Sequence, residues 1–135
     1  MRILFAALIG VALCGCSTQK DFQEAERATD DFHLQAAKGN YGGIYDTSSA
    51  AFKAAASREM LTGMMQRINR KLGPCGAADR QGFNVNYNTG GAFVMLNYTR
   101  KCANGPLEEN FTWRVENGKA VLYGYHANSP VLATD

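Results

Sequence analysis

The chain has no hydrophobic run long enough to cross a membrane. Its longest, Ile3 to Leu13 interrupted by Gly10, falls far short of the roughly 20 apolar residues a spanning helix needs. It has no G-x-S-x-G elbow, no phosphate-binding glycine loop of either common type and no H-E-x-x-H pair, so hydrolase, nucleotide-binding and zinc-protease motifs are all missing. Neither Cys75 nor Cys102 has a second Cys or His at ligand spacing, which argues against a metal centre, and no cofactor is expected. Only two histidines are present. Excess charge of one sign is also lacking. The net charge is +2 and falls to +1 without Arg2, with no basic run interleaved with aromatics, so no nucleic-acid partner is expected. Charged residues make up 19%, below the usual quarter, but the apolar content is ordinary and favours a folded globule. With 135 residues, one domain is expected.

The N-terminus carries the most specific signal. Met1-Arg2 is a short positive region, followed by the apolar run and then by Leu13-Cys14-Gly15-Cys16 and the polar Ser17-Thr18-Gln19-Lys20. This resembles the lipobox of bacterial lipoproteins, in which a Leu stands three positions before the modified cysteine and a small residue directly before it. The resemblance implies an export signal over 1–15, Cys16 as the diacylglycerol-bearing first residue of the mature chain, and a polar tether over 16–20. Cys14 departs from the usual residue at its position, but it would be removed with the signal. Cys14 as the modified residue would place the bulky Leu13 directly before it. A plain secretory signal, leaving Cys16 as a free thiol, is the competing reading. Two or three acyl chains give stable attachment where one is marginal. Ser17, by the sorting rule of that family, implies the outer membrane facing the periplasm if the source is Gram-negative.

An oxidising compartment makes a Cys75–Cys102 disulfide the expected state, with two separate thiols as the alternative. Closing that loop should stabilise by roughly 3–4 kcal/mol.

From Asp21 the pattern is helical. Phe22, Ala25, Ala28, Thr29, Phe32 and Ala36 form one stripe, and Lys38-Gly39 stops it. A short second helix is expected over Tyr41 to Ala50. A third follows the Ser57 cap, with Met60, Leu61, Met64, Met65, Ile68 and Leu72 as its apolar stripe and Gly73-Pro74 as its end. After Gly82 the period becomes two, with Phe83, Val85 and Tyr87 alternating with asparagines. A long strand from Ala92 to Cys102 follows, then one over Leu107 to Val115, then Asn117-Gly118, a strong hairpin signal, and a last strand through Val121, Tyr123 and Tyr125. The expected fold class is α+β, with three N-terminal helices packed on one face of a curved four-stranded antiparallel sheet, the domain running over 21–130 and a tail over 131–135.

This layout resembles the nuclear transport factor 2-like superfamily, in particular its bacterial lipoproteins of unknown function. The similarity rests on Gly39-Asn40-Tyr41 with Ile44-Tyr45, on Ser49 and Phe52-Lys53, on Lys71-Leu72-Gly73, and on the hairpin from Phe111-Thr112-Trp113-Arg114-Val115 to Leu122-Tyr123-Gly124-Tyr125. It implies a cone-shaped fold, and the superfamily holds isomerases, dehydratases and hydrolases beside non-enzymatic binding domains, so fold alone assigns no chemistry. Enzymes of this fold tend to pair an Asp with Tyr, His or Arg inside the cone. No such pair maps here. Asp46 beside Tyr45 is a candidate base that reads more readily as a solvated carboxylate. His33 reads as surface, and the parity of His126 turns it away from the tyrosines. Glu108-Glu109 occupy opposite-facing strand positions and cannot form a carboxylate pair. A candidate pocket is assigned to Tyr41, Tyr45, Phe111, Trp113, Tyr123 and Tyr125: cross-strand neighbours share a face, and tyrosines four apart share a helix face. The expected role is a membrane-anchored envelope domain that binds a small amphipathic ligand or an envelope protein without catalysis. The alternative is a small-molecule isomerase or hydrolase.

Overall fold

The computed structural model describes residues 14–134, so the expected export signal lies almost wholly outside the described residues. Four helices precede four strands: α1 (Cys14–Ala37), α2 (Tyr41–Asp46), α3 (Ala50–Ala55), α4 (Arg58–Leu72), β1 (Asp79–Asn88), β2 (Gly91–Cys102), β3 (Gly105–Glu116) and β4 (Lys119–Asn128). The strands form one open antiparallel sheet in the order β1-β2-β3-β4. The α+β class and the helices-then-meander order are as expected.

Two helical expectations need correction. Residues 17–20, expected as a short polar segment ahead of the first helix, are helical and belong to α1. The helix expected over 41–50 ends at Asp46, and a separate short helix, α3, starts at Ala50. The Ser48 hydroxyl donates back to the Ile44 carbonyl at 2.8 Å, which ends α2. Ser49 then turns extended, sends its N–H to Leu122 O of β4 at 2.9 Å, and caps α3 by accepting from Phe52 N–H. Gly39 has φ 73° and Gly73 has φ 70°, the left-handed values that end α1 and α4.

The helices cover one face of the sheet. Ala25, Ala28, Thr29 and Phe32 of α1, Ile44 of α2, and Leu61, Met65, Ile68 and Leu72 of α4 are buried against Val94, Leu96, Leu107, Phe111, Trp113 and Leu122. Phe111 is the hub of this core, edge-on to Phe32 at 5.0 Å and stacked on Trp113 at 6.0 Å. Met60, expected on the buried stripe, lies in the first turn of α4 and is 64% exposed.

Alternation in β4 is broken by a bulge. Trp113 pairs with Leu122 while Thr112 pairs with Gly124, so Tyr123 is the extra, unpaired residue. Tyr123 therefore swings to the outer face, where it packs edge-on against Phe93 at 5.1 Å, and Tyr125 returns to the inner face.

Cys75 and Cys102 are disulfide-bonded, with Cα atoms 3.8 Å apart. The bond fastens the segment after α4 to the end of β2, alongside Gly76 N–H to Lys101 O and Ala103 N–H to Pro74 O. Residues 131–132, at the start of the expected C-terminal tail, pack against the core. Arg67 donates to Leu132 O at 2.7 Å, and Lys71 reaches Thr134 O.

Candidate functional site

The six aromatic residues assigned to one pocket are distributed over the molecule. Trp113 lies in a cleft of about 590 Å³ between α1, α2 and β4, with Phe32, Ile44 and Leu122 in its floor and Arg27, Asp31 and Lys119 at its rim. Tyr41 and Tyr125 lie in a second cleft of about 330 Å³ between α1, α4 and the end of β2. Phe111 is fully buried between them. Tyr45 lines neither: it packs on Phe52, and its hydroxyl donates to Ala56 O at 3.0 Å. Tyr123 is on the far side of the sheet because of the bulge. Asp46 is exposed, ion-pairs with Arg58 and lines neither cleft. His126 is exposed, as its parity implied.

The chemistry of the second cleft belongs to Glu109, weighed from sequence only as a partner for Glu108. Glu109 sits on the inward parity of β3, between Leu107 and Phe111, and is 2% exposed. Three elements converge on its carboxyl group. Tyr125 of β4 donates its hydroxyl to Oε2 at 2.6 Å. His33 of α1 holds Nε2 2.8 Å from Oε1. Arg100 of β2 places its guanidinium 3.8 Å from Oε1 and donates Nε–H to Gly76 O at 2.9 Å, tying the cluster to the disulfide-linked segment. His33 is thus a partly buried partner of a buried acid, and the surface position expected for it is corrected; one α1 residue past Phe32, it points at the inner face of β2 and β3 rather than at solvent.

Burial pushes the Glu109 carboxyl up. The His33 hydrogen bond and charge, the Tyr125 hydroxyl and the Arg100 charge together outweigh it and hold the group below the ordinary carboxyl value. Glu109 is therefore a carboxylate at neutral pH. The Tyr125 phenol is pushed well above its ordinary value, first by burial and then by the Glu109 charge, so it remains a donor. A carboxylate only accepts, so His33 Nε2 carries the proton in this contact. Its other ring nitrogen and the Tyr41 hydroxyl make no hydrogen bond among the described residues, and both residues line the cleft.

A buried carboxylate held by a histidine, a tyrosine and an arginine can orient an imidazole beside a small cavity. That geometry can bind a hydrogen-bonding ligand, and it can also poise a proton acceptor. Among the described residues, no group of three His, Cys, Asp or Glu side chains is arranged to hold a metal ion. Among known proteins, no family model and no curated protein matches this chain.

Proposed function

We propose that this chain is a lipid-anchored cell-envelope domain of nuclear transport factor 2-like architecture that binds a small ligand in the cleft beside His33 and Glu109. The observation that carries the ligand site is the buried Glu109 carboxylate. An ionised group in a core costs several kcal/mol to desolvate, and an apolar substitute would often serve stability as well. Here it fixes an imidazole at the wall of a cavity with apolar sides from Phe32, Met65 and Ile68. The ligand class that fits has an apolar body and one group able to hydrogen-bond to His33 or Tyr41. Native mass spectrometry of the full chain extracted from its own membrane should show a retained small molecule. His33→Phe should lower its affinity by about tenfold, the equivalent of one hydrogen bond. Unchanged retention in that variant would remove the site from the cleft.

The lipid anchor rests on Leu13, Gly15 and Cys16. Cys16→Ala should release the protein from membranes into the soluble fraction, and the wild-type N-terminal peptide should carry acyl mass. A mature chain beginning elsewhere, without that mass, would overturn the anchor.

One observation favours a catalytic reading. Glu109 bonds one nitrogen of His33, a residue that lines the cavity, and the other nitrogen makes no hydrogen bond among the described residues, which suits an oriented general base. Turnover of the retained ligand by the wild type, lost in His33→Gln while binding persists, would select the isomerase- or hydrolase-type enzyme over the binding domain.

A further inference from the structure

The N-terminal end of α1 carries an exposed aromatic corner that the ligand cleft does not use. Phe83 and Tyr87 face the helix side of β1, yet they are 60% and 51% exposed, because α1 lies over the other strands and leaves β1 overhanging. Phe22 of α1 packs on Phe83 at 4.8 Å, and the Arg80 guanidinium covers both rings, 4.8 Å from Phe22 and 5.7 Å from Phe83. The Tyr87 hydroxyl lies 2.9 Å from Asp21 Oδ2 and 3.3 Å from Thr18 Oγ1, so β1 clasps the first turns of α1.

Thr18 is two residues beyond Cys16 in the same unbroken helix, so the backbone at Cys16 lies only about 3 Å further along the helix axis. We propose that this corner is a membrane-contact surface, seated in the headgroup layer by the acyl chains on Cys16 and fixing how the domain sits on the bilayer. The proposal rests on the lipid-anchor reading. With helix where a tether was expected, the acylated residue and the corner move as one body. The composition also suits that layer: a tyrosine ring with a polar tip, and apolar rings capped by an arginine guanidinium that pairs with Glu26, combine apolar and polar surface as the interface of lipid and water does. The local charges largely cancel, Arg80 against Glu26 and Lys20 against Asp21, so contact should be driven by the rings rather than by anionic lipid.

The test uses the full acylated protein in phosphatidylcholine vesicles whose acyl chains carry bromine near the glycerol backbone. Phe83→Trp places a reporter in the corner, and Met60→Trp places one on the exposed face of α4; Trp113, buried, is the unquenched internal reference. The reporter at position 83 should lose about half its emission, as expected for an indole at the interface, and the one at position 60 should lose little. Adding Cys16→Ala to Phe83→Trp should abolish the loss. Equal quenching at both positions, or none at either, in protein whose acyl mass is verified would overturn the corner as a lipid contact while leaving the anchor intact. Protection of position 83 in native membranes but not in vesicles would assign the corner to a protein partner and overturn it too. Absence of acyl mass on Cys16 would overturn the anchor, and the seating with it.

Discussion

Glu109→Ala should lower the free energy of unfolding by about 3–5 kcal/mol, the usual cost of removing one member of a buried charged cluster. Two hydrogen-bond donors and an ion-pair partner lose the carboxylate at once. The Tyr125 hydroxyl, His33 Nε2–H and the Arg100 guanidinium all converge on this carboxyl group, and the first is deeply buried. Urea denaturation followed by circular dichroism would measure the change; a loss below 1 kcal/mol would mean that the cluster is solvated. The same group predicts an acid limb. Its folded-state affinity for protons is lowered, so its contribution to stability is complete above the ordinary carboxyl value of 4.5 and is lost as pH falls through the lower, folded value. Glu109→Gln should flatten that limb.

Replacing Cys75 and Cys102 together with Ala should cost roughly 3–4 kcal/mol, from the entropy of the loop that the bond closes in the unfolded chain. The effect should extend beyond global stability. Cys75 and Pro74 line the second cleft, and Arg100 bonds to Gly76 O and faces Glu109, so freeing the segment after α4 loosens one wall of the ligand site. Comparing urea midpoints of the wild type with and without reductant would reproduce the loss without mutation. Identical midpoints would mean that the thiols do not bridge in solution.

Most of the scaffold could be read from periodicity. The α1 stripe through Ala25, Ala28 and Phe32, the Ser57 cap and the switch to period two all reflect local chemistry that a single chain segment contains. Asn117-Gly118 adopts positive φ at both residues, as its hairpin signal implied. What the sequence concealed depends on other segments. Tyr123 obeys the alternation of its own strand, and only pairing against Thr112 and Trp113 reveals the bulge that turns it outward. The break between α2 and α3 depends on Ser49 finding Leu122 O across the fold. Glu109 was partly legible. It shares inward parity with Leu107, Phe111 and Trp113, and a lone acid on an apolar strand face signals a buried partner. The identity of that partner could not be read, because His33 lies far away in sequence and its one local clue, adjacency to Phe32, suggested solvent.

The unbroken course of α1 also bears on how a ligand would arrive. Between Cys16 and His33 the helix advances about 25 Å, close to the thickness of the hydrocarbon core of a bilayer. Were Cys16 acylated and the helix to stand away from the surface, the cleft would open into the aqueous compartment rather than into the lipid. Occupancy would then follow the dissolved concentration of the ligand, not its partition into the membrane, and a molecule held mainly in the bilayer would need a carrier to reach His33.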